Sequence, residues 1–294
     1  MKFQKKDIND FELSKDITII KSITDCSDEF LAKECDLPLE TINDFYYYDK
    51  TNATKDELEK IYNFAFNNKI YLSDIKWQMY NDELANNNHF VLCHGSRDKI
   101  IGDIRLDASG DSNDFSNGFY CGETVKQAGM YVSEEPNASL YLVEADLSQL
   151  SSLRFTVNRD WMFAVAYYRN TLGDYANNPQ ITKIINECED VDVIIAPIAD
   201  NRMFELIDAF IAGELTDKQC IYAMSATQLG MQYVFKTQHA LDNIHLLERC
   251  YLCASEKGYY NRNNERESNT GVNKAILAKK FYSNEGKYIE EILQ

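Results

Sequence analysis

Phe90-Val91-Leu92-Cys93-His94-Gly95-Ser96 is the stretch on which the reading of this chain turns. Its first four residues form a short apolar run, which predicts a strand over 90–93 with His94 where that strand ends. Gly95 has no side chain, so the backbone there can turn and come close to a ligand. A strand end of this kind is a place to hold the edge of a cofactor.

Two further segments extend the pattern. Asp111 to Asn117 is a polar run of Asp, Ser and Asn broken only by Phe115, and it delivers Gly118 into Phe119 and Tyr120. The loop composition ends abruptly in two aromatics, which offer a face for a flat ring. Downstream, Met231-Gln232-Tyr233-Val234-Phe235-Lys236-Thr237 is rich in β-formers and bounded by Gly230, predicting a strand with Gln232 near its start. A fourth segment, Asp192-Val193-Ile194-Ile195-Ala196-Pro197-Ile198-Ala199-Asp200-Asn201-Arg202-Met203-Phe204, reads as a buried strand running into a polar turn and a helix.

In order and local context these pieces resemble the ADP-ribosyltransferase fold, in its His-Tyr-Glu class of diphtheria-like toxins and poly-ADP-ribose polymerases. The 192–204 segment is similar to one in a narrower bacterial domain family of the same fold clan. The resemblance covers roughly residues 88 to 255. It implies an α+β fold, with split antiparallel sheets around an NAD cleft, and a mono-ADP-ribosyltransferase activity that consumes NAD as substrate. It further implies that His94 hydrogen-bonds a ribose hydroxyl, that Gly95 offers main-chain groups to the nicotinamide carboxamide, and that Ser96 adds a hydroxyl. Tyr120 would stack on the nicotinamide ring with Phe119 beneath it, and Gln232 stands where the class usually has Glu. A carboxylate there would stabilise the positive charge that builds on the ribose, whereas an amide offers only a dipole. Losing one such preorganised group costs on the order of 2.7–4 kcal/mol, a factor of about a hundred to a thousand. The narrower bacterial group tends to have Gln at this position.

The same residues have plainer readings. His94 reads equally as a surface histidine at a strand end, Tyr120 as one of 19 packing or surface tyrosines, and Gln232 as an outward polar strand residue. Asp200 and Arg202 read as a structural ion pair or, for Asp200, as a helix cap. Arg202 would alternatively meet the pyrophosphate, since a guanidinium fits phosphate oxygens bidentately. Three functions follow: a transferase or NAD glycohydrolase; a non-catalytic NAD or ADP-ribose binding module, suggested by Gln232; and a protein-interaction adaptor.

The 294 residues, 45% hydrophobic with only 4 Pro, describe a folded globule of one large or two modest domains. A net charge of −17 disfavours nucleic acid and anionic membrane as partners, so the acceptor of ADP-ribose is expected to be a protein before a nucleic acid. Neither a signal-peptide core nor a run of about 18 apolar residues is present, which predicts a cytoplasmic protein. The 8 Cys are scattered and fit a reducing compartment. Cys250 and Cys253 form one C-x-x-C with His245 nearby, which falls short of the four ligands of a structural zinc site, so no metal is expected.

Three segments are expected. Residues 1–88 form a helical module, in which Thr54 and Glu57 have capping-box spacing and Phe45 to Tyr48 are an aromatic cluster. Residues 89–255 carry the ADP-ribosyltransferase-like domain. Residues 256–294 form a polar tail, mobile over 255–272, with a terminal helix. Proteins of this fold family often act as toxins or in phage defence, so such a role belongs to the resemblance.

Overall fold

In the computed structural model, residues 8, 10–48, 52–84, 89–109, 113–199, 201–225, 230–282 and 285–294 are described. Apolar residues spaced three and four apart fold residues 13–84 into five helices: α1 (Leu13–Thr24), α2 (Asp28–Glu34), α3 (Leu39–Tyr47), α4 (Lys55–Asn67) and α5 (Leu72–Leu84). Ser27 caps α2, and Thr54 and Glu57 close the expected capping box on α4. Strand β1 (His89–Ser96) follows, then β2 (Phe119–Gly122), α6 (Val125–Val132), β3 (Ser139–Asp146) and β4 (Ser152–Arg154). The chain continues through α7 (Arg159–Tyr168), α8 (Pro179–Glu189), β5 (Val193–Pro197), α9 (Asn201–Ile211), α10 (Asp217–Ser225) and β6 (Met231–Phe235). It closes with α11 (Gln238–Leu241), β7 (Ile244–Tyr251), α12 (Ala254–Phe281) and α13 (Ile289–Ile292).

These elements form two compact units. The first comprises the described residues of Met1–Ile101, Thr124–Ala145 and His245–Arg262; the second comprises those of Gly102–Glu123, Asp146–Ile244 and Asn263–Gln294. Each unit thus draws on more than one of the segments 1–88, 89–255 and 256–294.

In the first unit the sheet order is β1-β3-β7. Val91, Cys93, Leu140, Leu142 and Cys250 from these strands bury against Val125, Ala128 and Val132 of α6. A separate cluster, including Ile17, Ile20, Leu31, Ile42, Phe45 and Ile61, fastens α1 to α5 together. Phe45 of the aromatic cluster is fully buried there, whereas Tyr47 and Tyr48 are exposed.

The sheet of the second unit runs β4-β5-β6-β2. β2 and β5 both pair antiparallel with β6, while β4 pairs parallel with β5, Ser152 opposite Val193. The sheet is therefore mixed rather than wholly antiparallel. Its core is formed by Trp161 to Ala166 of α7 with Ile181, Ile194, Met203, Phe210 and Val234. Ile289 and Leu293 of the last segment are buried in the same core.

Three expectations are corrected, and one strand lies where none was expected. β1 continues to Ser96, so His94 lies within the strand rather than at its end. Leu147 to Leu153 reads in the sequence as a turn after an apolar strand, and β4 starts within it at Ser152. β7 was not anticipated, because Ile244–Tyr251 alternates irregularly, with charged Glu248 buried at 2% exposure. Residues 255–272 belong to α12, a helix with few apolar residues whose first turns carry the buried Glu256 and Tyr260.

Candidate functional site

Gly118 owes its identity to a close approach. A Cβ on it would lie 2.9 Å from Val234 Cγ1 and 3.0 Å from the Phe235 carbonyl oxygen of the neighbouring strand. The register that follows sets Phe119 opposite Phe235, Tyr120 opposite Val234 and Gly122 opposite Gln232. The Gly118-Phe119-Tyr120 motif and the Gln232 strand are thus direct neighbours.

The Tyr120 hydroxyl folds back on the loop before it. It donates to the Ser116 carbonyl at 2.6 Å and accepts from the Phe115 N–H at 3.2 Å. Ser116 adopts a left-handed φ of 62°, which tightens the turn. Phe115, the lone aromatic of that polar loop, is fully buried and stacks on Phe155 with ring centroids 5.8 Å apart. Tyr120 therefore holds the loop, and the loop in turn holds its neighbour Asp114 inside the unit.

Asp114 is 6% exposed and meets three donors. Its Oδ2 accepts from Gln232 Nε2 at 2.8 Å, its Oδ1 from an Arg169 amino group at 2.9 Å, and the Ala199 N–H also donates to it. Burial pushes the Asp114 carboxyl up, against the pull of Gln232 and Arg169. Gln232 Nε2 donates a second time, to the Pro197 carbonyl at 3.2 Å. The guanidinium carbon of Arg169 lies 3.1 Å from the centre of the Phe204 ring, and its buried Nε has no hydrogen-bond partner among the described residues.

Of the residues marked in the sequence, the second unit therefore brings together Phe119, Tyr120 and Gln232, and adds Asp114 and Arg169. Neither addition was legible. Asp114 sits in a run of Asp, Ser and Asn that reads as turn, and Arg169 follows Tyr167-Tyr168 as an ordinary helix-end cation. Arg202 lies half-buried in the first turn of α9, and Asp200 falls outside the described residues.

His94, Gly95 and Ser96 belong to the first unit, half-buried in the last three positions of β1, with His94 inside the strand and Ser96 at its end. Gly95 has a packing reason of its own. A Cβ there would overlap the Ala128 carbonyl oxygen of α6 and stand 3.1 Å from Val132 Cγ1.

Among the described residues, no group of three His, Cys, Asp or Glu is placed to hold a metal ion. Cys250 and Cys253 are buried, and burial pushes both thiols up to about 12. Such thiols are not nucleophiles at neutral pH. A shallow hollow of about 590 Å³, lined by Thr171, Leu172, Tyr175, Asp208 and Ile211 among others, shares no residue with the Asp114 cluster. No helix of the described residues is long and apolar enough to cross a membrane.

No curated protein and no solved structure matches the chain. One family does, over residues 90–246, a span that holds β1 from Phe90 onward, the Asp114 loop, Arg169 and Gln232 and exceeds half of the 294 residues. The chain belongs to the DUF3990 family, proteins of unknown function.

Proposed function

We propose that the protein is an NAD-dependent mono-ADP-ribosyltransferase. The observation that carries this reading is the pairing of the Gly118-Phe119-Tyr120 strand with the Gln232 strand, together with the fixing of the Gln232 amide by buried Asp114. A polar side chain held rigidly by a buried carboxylate is the kind of preorganised group that stabilises charge in a transition state. His94, Gly95, Ser96, Phe119 and Tyr120 keep the NAD-binding roles that the resemblance implies, with Arg202 for the pyrophosphate and Asp200, two positions before it, as a further NAD-binding candidate.

In the reaction, the bond between C1′ of the ribose and the nicotinamide nitrogen breaks, and its electron pair leaves with neutral nicotinamide. The oxocarbenium-like carbon then accepts a lone pair from the acceptor, whose proton passes to solvent. Gln232 Oε1 supports the developing charge as a hydrogen-bond acceptor for the ribose. The net charge of −17 favours a protein acceptor over a nucleic acid, and a cytoplasmic setting with a toxin or phage-defence role fits the family resemblance.

A second reading is a non-catalytic NAD or ADP-ribose binding module. It is favoured by the burial of Gln232, which is 7% exposed. Incubation with nicotinamide-labelled and adenylate-labelled NAD in a cell lysate separates the two. The transferase releases nicotinamide and labels a macromolecule, and Gln232→Ala lowers release about 100- to 1000-fold. Saturable NAD binding with no release leaves the binding module; release without labelling leaves a glycohydrolase.

A further inference from the structure

A glutamine contributes two N–H donors and one acceptor oxygen, and its partners decide which of these a ligand meets. Both partners of Gln232 Nε2 are pure acceptors: the Asp114 carboxylate oxygen at 2.8 Å and the Pro197 carbonyl oxygen at 3.2 Å. The amide cannot be turned without setting Oε1 against two oxygens, so chemistry fixes its orientation. Both N–H groups are consumed, and Oε1 is left as the only hydrogen-bonding atom that Gln232 can offer a ligand.

The carboxylate does more than orient the amide. A hydrogen bond from an amide N–H to a buried charge is stronger than a neutral one and polarises the amide, adding negative charge to the far oxygen. Asp114 is fixed in turn by Arg169 at 2.9 Å, whose guanidinium rests on Phe204, and by the Tyr120 hydroxyl, which pins Ser116 and Phe115 beside it.

We propose that Asp114 is a positioning residue of the transferase site, holding Gln232 as an acceptor-only, charge-polarised amide that takes the place of a glutamate. This rests on the transferase reading, and it explains how an amide could serve where a carboxylate is usual. Asp114 itself remains behind Gln232 and acts on the ribose only through it.

The experiment measures nicotinamide release from NAD at limiting and saturating concentrations, with the melting temperature of each full-length variant alongside. Asp114→Asn sets an N–H donor against either Gln232 or Arg169. It is expected to lower kcat about 10- to 100-fold, the loss typical when a partner that orients a functional ligand is removed. The KM for NAD is expected to move by less than about threefold, because the acceptor acts mainly in the transition state. In the double variant Asp114→Asn/Gln232→Glu, the amide introduced at position 114 donates to one oxygen of the carboxylate introduced at position 232, the Pro197 hydrogen bond is given up, and the second oxygen is left for the ribose.

That double variant is expected to recover about tenfold in kcat over Asp114→Asn, whether or not it melts higher. If Asp114 served packing alone, the second change in a buried pair would leave kcat at or below that of the single variant, which overturns the proposal. Should Asp114→Asn not fold, Asp114→Glu keeps the charge and shifts it by one methylene. Retention of more than about a tenth of the wild-type kcat supports the role, and a loss as deep as that of Gln232→Ala overturns it. A wild-type protein that releases no nicotinamide overturns the transferase reading and this one with it. An active wild type with an unrescued double variant overturns the role of Asp114 alone.

Discussion

Gly95→Ala isolates the part of the His94-Gly95-Ser96 motif that can be explained without any ligand. The backbone at Gly95 is not in the left-handed region, so its glycine is not required by φ. What requires it is α6: the added Cβ would overlap the Ala128 carbonyl oxygen and sit 3.1 Å from Val132 Cγ1. The carbonyl is backbone within a helix and has little freedom to yield, so β1 and α6 must separate by several tenths of an ångström. Overpacking of this kind costs about 1–3 kcal/mol. For a unit of this size each kcal/mol lowers the melting temperature by about 2–4 °C, so a fall of about 2–12 °C is expected. Thermal unfolding followed by circular dichroism reads it, and amide hydrogen exchange should quicken across Val125–Val132 while the second unit is unchanged. A variant that melts within about 1 °C of wild type but no longer binds NAD would refute the packing argument and leave Gly95 to the ligand.

Two further outcomes follow from charged groups. Asp192 accepts from the hydroxyls of Thr237 and Ser151 and from the Ser151 N–H, which lower its carboxyl to about 2 in the folded chain. With the folded value below the unfolded one, its contribution is present above about pH 4 and is lost as pH falls through about 2. After allowance for partial exposure it amounts to about 1–2 kcal/mol, and a pH-melting series in which wild type and Asp192→Asn differ equally at pH 2 and pH 7 would refute it. In the first unit, Lys76 is 1% exposed and lies 2.9 Å from Asp16 Oδ1 and 2.7 Å from Glu248 Oε1, both buried. Lys76→Met takes the cation from buried Asp16 and leaves Glu248 with Lys15 alone, and is expected to cost about 3–5 kcal/mol by chemical denaturation at pH 7; a loss below about 1 kcal/mol would show that water reaches the cluster.

How much of this could be read beforehand depends on how local each signal is. Val91 to Cys93, Leu140 to Val143, Val193 to Pro197 and Tyr233 to Phe235 declare their strands because burial on both faces leaves continuous apolar runs. The Thr54-Glu57 box declares the start of α4 by chemistry that spans only four residues. β4 is three residues long and exists by pairing with β5, so it has no periodicity of its own. α12 was hidden by composition, since its Asn, Arg, Glu and Ser residues carry no apolar stripe over most of its length. Asp114 is the sharpest case. Its partner Gln232 is 118 positions away, and nothing in Asn113-Asp114-Phe115 distinguishes that acid from the loop around it.

The two buried ionic clusters differ in a way that bears on function. Around Lys76, each charge has an opposite charge in contact: Asp16 and Glu248 flank the ammonium, and Lys15 reaches Glu248 at 3.0 Å. Tyr62 and Tyr80 add their hydroxyls to those carboxylates and the network ties α1, α4, α5 and β7 together, while the two oxygens left without a hydrogen bond among the described residues, Asp16 Oδ1 and Glu248 Oε1, still touch the Lys76 ammonium at 2.9 and 2.7 Å. The Asp114 cluster differs in the atoms it leaves over. Arg169 has a buried Nε without a partner among the described residues, and Gln232 has spent both donors while keeping its acceptor. Burying polar groups costs stability unless their bonds are completed, and the bonds left incomplete mark where a ligand would complete them. Because the leftover oxygens of the Lys76 network face its own ammonium, that network is a clamp, and the Asp114, Gln232 and Arg169 cluster is where chemistry would be sought even if no motif had drawn attention to Gln232.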